Sequence, residues 1–78
     1  MNKFYEVVET ALMGEYECSS KSYYFKTIEQ ANEFINSKIL GRGNIEEKQP
    51  NGTTIRNVFI HFGQSINDNY KLIERYFE

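Results

Sequence analysis

His61 and Cys18 are the single histidine and the single cysteine of this 78-residue chain, and any side-chain catalysis would start from them. An imidazole general base and a thiol nucleophile work as a pair only within hydrogen-bond reach of each other, with a third group to orient the base. Cys18 and Asp68 are the evident partners for His61, and nothing in their spacing brings the three together. Between Phe59 and Phe62 on a strand, His61 reads instead as a structural or edge residue. One histidine and one cysteine also fall short of the three or four ligands that zinc wants. Gly41-Arg42-Gly43 has the look of a phosphate loop, but it follows a helix and precedes a strand. That is the reverse of the order that aims helix amides at phosphate, so the segment reads as a helix exit. The expectation is a chain with no catalytic residues, no metal ligands and no cofactor.

Binding chemistry is the alternative. Tyr23, Phe25, Lys21, Lys26 and Arg42, with Tyr24 beside them, form the set that a base-stacking nucleic-acid platform would use. Against it stands the charge balance: nine basic against eleven acidic residues give a net charge of −2, without the clustered positive charge that such binders carry. Direct nucleic-acid binding is therefore not expected, and alternate aromatics feeding a core explain the stretch better. The first twenty residues set Lys3 against Glu6, Glu9, Glu15 and Glu17. If the chain folds back at Gly14, Glu15 and Glu17 share a face, with Tyr16 between them and Glu6 or Glu9 nearby. Such a patch would dock on a basic protein surface and imitate phosphate charge.

The elements that must position these residues are read from periodicity. Thr27 to Gly41 carries every helix signal: Thr27 as cap, Gln30 three residues on, and an apolar stripe of Ile28, Ala31, Phe34, Ile35 and Ile39. Lys38 suits the last turn, and Gly41 the left-handed exit. Before it, Lys3–Leu12 reads as a strand with apolar residues on both faces. A turn follows at Met13-Gly14-Glu15, then a second strand from about Tyr16 to Lys26, interrupted near Ser19–Ser22. Asn44–Gln49 is a modest strand, and Gln49-Pro50-Asn51-Gly52 a turn with Gly52 left-handed. Thr53–Phe62 alternates strongly. Ser65 with Asp68 reads as the start of a second helix, whose stripe is Ile66, Tyr70, Ile73 and Phe77.

The expected fold is α+β, one domain over residues 1–78. It has about four antiparallel strands and two helices in the order ββαββα, with the helices mainly on one face. In that arrangement Val58, Ile60 and Phe62 lie beneath the helices. Ile55 and Phe59 face the other way, joined by Tyr5 and Val7 or by Phe4 and Val8. A small chain has no third layer for that apolar patch, which predicts a homodimer or a heteromeric contact. The candidate protein-binding residues are thus Glu6, Glu9, Glu15, Tyr16, Glu17, Ile55 and Phe59.

No apolar run is long enough to span a bilayer and no basic-then-apolar leader opens the sequence, so no membrane association is expected. The lone Cys18 suits a reducing compartment, which predicts the cytoplasm. In its size, acidity, AT-rich residue usage and lack of a catalytic set, the chain resembles the short stand-alone proteins of phages and mobile elements. Anti-CRISPR proteins are among these. The resemblance implies an inhibitor that occludes a basic, nucleic-acid-handling surface of a host protein; no motif carries it, and no site residue transfers with it.

Overall fold

β1 (Lys3–Met13) is apolar on both sides because it is an inner strand, as the computed structural model of residues 2–77 shows. It pairs antiparallel with β2 (Tyr16–Phe25) on one side and with β5 (Ile66–Tyr76) on the other. β4 (Thr54–Gly63) pairs with the far side of β5, and β3 (Asn44–Lys48) with β4. The result is one five-stranded antiparallel sheet in the order β2-β1-β5-β4-β3. A single helix, α1 (Ile28–Ile39), carries the chain across one face, from the β2 edge to the β3 edge.

Several of the local signals of α1 are used. Thr27 Oγ1 accepts the Gln30 N–H at 3.2 Å, and Lys38 stands in the last turn. Ala31 and Ile35 are fully buried against Tyr5, Val7, Val58, Ile60, Tyr70 and Leu72, which form the core between helix and sheet. Phe34 sits on the flank, its ring 4.5 Å from Tyr23 and 5.3 Å from Phe25. On the opposite flank Arg56 of β4 donates to Asn32 Oδ1 at 3.1 Å and to Asn36 Oδ1 at 2.9 Å, fastening the helix to the far half of the sheet.

Two expectations are corrected. Among the described residues the order is ββαβββ, with five strands and one helix in place of about four and two. The segment read as a second helix is β5, the middle strand of the sheet. Ser65, taken for a helix cap, is the left-handed residue (φ +60°) of the two-residue turn between β4 and β5. Its carbonyl accepts the Gly14 N–H at 2.6 Å, joining that turn to the β1–β2 turn. Tyr70 and Leu72 alternate onto the helix side and are fully buried, while Asn67, Asn69, Lys71 and Ile73 take the other side. Paired along both edges, the segment satisfies its backbone in ladders. Asn67, Asp68, Asn69 and Tyr70 have little helix propensity to oppose that.

The second correction concerns parity. β4 bulges between Thr54 and Arg56, which turns Ile55 in to pack at the rim of the core. Ile55 and Phe59 therefore do not share a face. A second bulge, between His61 and Gly63, puts Phe62 out of phase; it is 41% exposed, under the Arg42 guanidinium. A third, in β2, leaves Cys18 as the extra residue. Each bulge shifts the alternation by one, so residues beyond it change sides.

Candidate functional site

The helix covers one side of the sheet, and among the described residues no second layer covers the other. Strand residues alternate faces, so the cross-strand pairs define what that open face carries. Its central row runs Ser22, Val8, Lys71, Asn57, Lys48, from β2 across to β3. The next row towards the β4–β5 turn runs Ser20, Thr10, Asn69, Phe59, Glu46. On the other side of the centre lie Tyr24, Glu6 and Ile73, then Phe4 opposite Arg75.

Glu6 is the polar hub of this face. It is only 8% exposed, and Arg75 Nε donates to its Oε1 at 2.9 Å. Burial pushes its carboxyl up, but hydrogen bonds from Ser22 and Arg75, the guanidinium charge and the Tyr24 hydroxyl outweigh that. Together they hold it below the ordinary carboxylate range. Asn69, 4% exposed, donates to Asn57 Oδ1 at 2.7 Å and to the Val58 carbonyl at 3.1 Å. Lys71 stands near the middle with no ion-pair partner among the described residues. Apolar groups surround this polar line. At one end the Phe4 ring lies 4.8 Å from Phe77 and 6.0 Å from Tyr24, forming a shallow depression with Phe25 and Lys26. At the other end Phe59 stacks on His61 at 6.3 Å, with Lys48 Nζ 4.5 Å from the Phe59 ring.

The candidate residues from the sequence are distributed over three places. Glu6 and Phe59 lie on the open face. Glu15, Tyr16 and Glu17 are exposed at the end of the β1–β2 hairpin. Glu9 and Ile55 belong to the helix side. There the Glu9 carboxylate accepts the Tyr70 hydroxyl at 2.5 Å and the Tyr23 hydroxyl at 3.3 Å. Burial and the Glu9 charge together keep the Tyr70 phenol protonated far above its usual range, so it remains the donor. The acidic residues thus do not form one patch: Glu6 and Glu9 differ in parity and point to opposite sides of the sheet.

The other constellations come apart as well. His61 Nδ1 lies 2.5 Å from Asn67 Oδ1 and Nε2 lies 3.3 Å from Glu46 Oε2, so the ring bridges three strands. Cys18 is on β2, three strand spacings from His61 in β4, or about 14 Å at about 4.8 Å per spacing. Among the described residues no three His, Cys, Asp or Glu side chains converge as metal ligands would. Tyr23 and Phe25 pack on Phe34, and Arg42 is held by Asp68 at 3.0 Å, which removes three members of the base-stacking set. No helix among the described residues is long and apolar enough to cross a membrane.

Sequence reasoning missed Lys71, Ile73, Arg75 and Phe77 as parts of one surface with Phe4 and Tyr24. The available signal was the alternation of Asp68, Tyr70, Leu72 and Glu74 against Asn67, Asn69, Lys71 and Ile73. It was masked by apolar residues at helical spacing. No protein-family model, curated protein or solved structure matches the chain.

Proposed function

We propose that the chain is a non-enzymatic protein-binding module whose contact surface is the helix-free face of the sheet. The observation that carries this is that Phe4, Val8, Leu12, Phe59 and Ile73 stand half-buried, interspersed with Glu6, Thr10, Asn69 and Lys71, on a face over which the described residues lay no second layer. Apolar side chains held half-buried on a sheet face with nothing laid over them mark a partner site. In this reading the module is an inhibitor of the phage type, anti-CRISPR-like in role, that occludes a basic, nucleic-acid-handling surface of a host protein. Glu15 and Glu17 are exposed and without ion pairs among the described residues. They supply the negative charge that would steer such a contact. The cytoplasm suits an exposed, unpaired Cys18.

The test is affinity capture from the native host with three forms of the protein: the wild type, Phe59→Ser/Val8→Ser on the open face, and Ser37→Ala on the outer helix. A partner retained by the first and third and lost by the second is the expected result. Capture that ignores the open-face change would refute this surface. Loss of binding on reversing Glu15 and Glu17 alone would assign the contact to the hairpin tip.

A further inference from the structure

Asn51 is the only one of the eight asparagines that precedes a glycine. It stands with Gly52 between β3 and β4, both residues exposed, in a turn closed by the Thr54 N–H on the Asn51 carbonyl at 3.1 Å. Gly52 has φ +63°, and nothing stands within 4 Å of where a Cβ there would lie. Neither the Asn51 carboxamide nor the Gly52 N–H has a hydrogen-bond partner among the described residues. Most other asparagine side chains are held. Asn32 and Asn36 accept from Arg56, Asn69 donates to Asn57, and Asn67 meets His61. Asn2 and Asn44 precede Lys3 and Ile45, whose side chains shield the next amide nitrogen.

A free carboxamide beside an unshielded amide nitrogen permits attack within the chain. Once its proton has passed to hydroxide, the Gly52 nitrogen reaches the Asn51 Cγ through a five-membered ring. Reaction between neighbours in one chain carries a high effective concentration. The bond from the Gly52 nitrogen to Cγ forms and the Cγ–Nδ2 bond breaks. Nδ2 takes a proton from water and leaves as ammonia, which restores the hydroxide. A second water then opens the cyclic imide. Addition at Cγ gives aspartate; addition at the α-carbonyl gives isoaspartate, whose main chain runs through Cβ and Cγ. The net change is amide plus water to carboxylate plus ammonium.

We propose that Asn51-Gly52 is a self-modifying site, at which water converts Asn51 to aspartate and isoaspartate in the folded protein. The isoaspartyl product carries the structural consequence. It lengthens the main chain of the turn by one methylene, and the α-carbonyl that holds the Thr54 N–H becomes a free carboxylate. Immediately after this turn comes the bulge between Thr54 and Arg56, which seats Ile55 at the rim of the core. From there Arg56 bonds Glu47, Asn32 and Asn36. The modification therefore loosens the fastening of α1 to the far half of the sheet, whatever the open face binds.

The test incubates the folded protein at neutral and at mildly alkaline pH, followed by ion-exchange chromatography and peptide mass mapping. An acidic form should accumulate, with the mass change of amide to acid confined to the peptide that holds Asn51. An isoaspartyl methyltransferase should methylate that peptide, and the rate of conversion should rise in proportion to hydroxide. Asn51→Gln, which would need a six-membered ring, should abolish the acidic form. The isolated isoaspartyl form should melt below the parent. Freshly made Asn51→Asp, which adds the charge without the methylene, should match the parent. Absence of conversion at Asn51 in the folded chain would overturn the site, and so would earlier conversion at another asparagine. An isoaspartyl form as stable as the parent, or an equal loss in Asn51→Asp, would overturn the link to Ile55 and Arg56.

Discussion

Ile35→Ala removes three carbons from the larger of the two fully buried side chains of α1. Ile35 is fully buried, so about 0.8 kcal/mol per methylene gives about 2.4 kcal/mol of lost transfer energy. The sheet beneath is paired on every inner strand and has little freedom to close the gap, which adds about 1 kcal/mol of cavity cost. The total, about 3–4 kcal/mol, is a large share of the about 4–12 kcal/mol available to a chain of 78 residues. The assay is equilibrium urea unfolding followed by far-ultraviolet circular dichroism and by tyrosine fluorescence. With a slope of about 1 kcal/mol per molar urea, the midpoint should fall by about 3 M, or the variant should be unfolded at the outset. Phe34→Ala is the companion measurement. Phe34 lies on the flank, half-buried against Tyr23 and Phe25, and should cost less than Ile35→Ala. If Phe34→Ala proves the more damaging, or the Ile35→Ala midpoint moves by less than about 1 M, the helix seats on the sheet through a different face. Loss of the helical signal ahead of the tyrosine signal would show that α1 peels away on its own, against the packing argued here.

Gly43 has φ +38°, and a Cβ there would stand 2.5 Å from the His61 carbonyl oxygen. Gly43→Ala should therefore cost at least about 1–3 kcal/mol in thermal or urea unfolding, whereas Gly63→Ala, with open space around it, should be mild. The Glu6 carboxyl is held below its ordinary value of 4.5. Its contribution is complete above that value and lost as pH falls through the lower, folded one, so Glu6→Gln should flatten the acid limb of a stability–pH profile and lower stability at neutral pH. Glu15→Lys/Glu17→Lys should leave the unfolding midpoint nearly unchanged, since both are exposed and unpaired among the described residues; a large shift would show that the hairpin tip carries structure. Tyr70→Phe should destabilise by about 1–3 kcal/mol, because Glu9 loses the donor that the fully buried ring presents.

What could be read from the sequence was local. The cap at Thr27, the stripe ending near Ile39 and the glycines at 14, 41 and 52 each act over a few residues, and the structure uses them all. What escaped was set by distant partners. In Ser65–Phe77, a serine, an aspartate three residues on and apolar groups at helical intervals imitate a helix. Yet the segment lies between β1 and β4, and ladders on both edges outweigh weak local preference. The bulges at Cys18, Ile55 and Phe62 carry no mark in their own residues, and each reverses the facing of its neighbours. That is why Phe59 was placed correctly on the face away from the helix and Ile55 was not. The open face was half legible through Phe4, Val8 and Phe59; its other half lies on β5 and could not be assembled without that strand.

The middle of the sheet joins the first strand to the last. β1 and β5 are separated by some fifty residues of chain, yet their pairing is the longest in the molecule, eleven residues matched to eleven. During synthesis the β1–β2 hairpin and α1 would emerge with nothing to rest on beyond each other. The β3–β4 hairpin would follow as a second fragment with an open edge. Neither fragment buries Tyr70 or Leu72, because those side chains arrive only with β5. Assembly is therefore gated by the closing of one long loop, the kind of contact that slows folding to the millisecond-to-second range. Until it closes, both fragments offer bare strand edges to other chains. A ribosome-bound chain halted before β5 should behave as two sticky hairpins, and release of the last strand should convert them to one cooperative sheet in a single step.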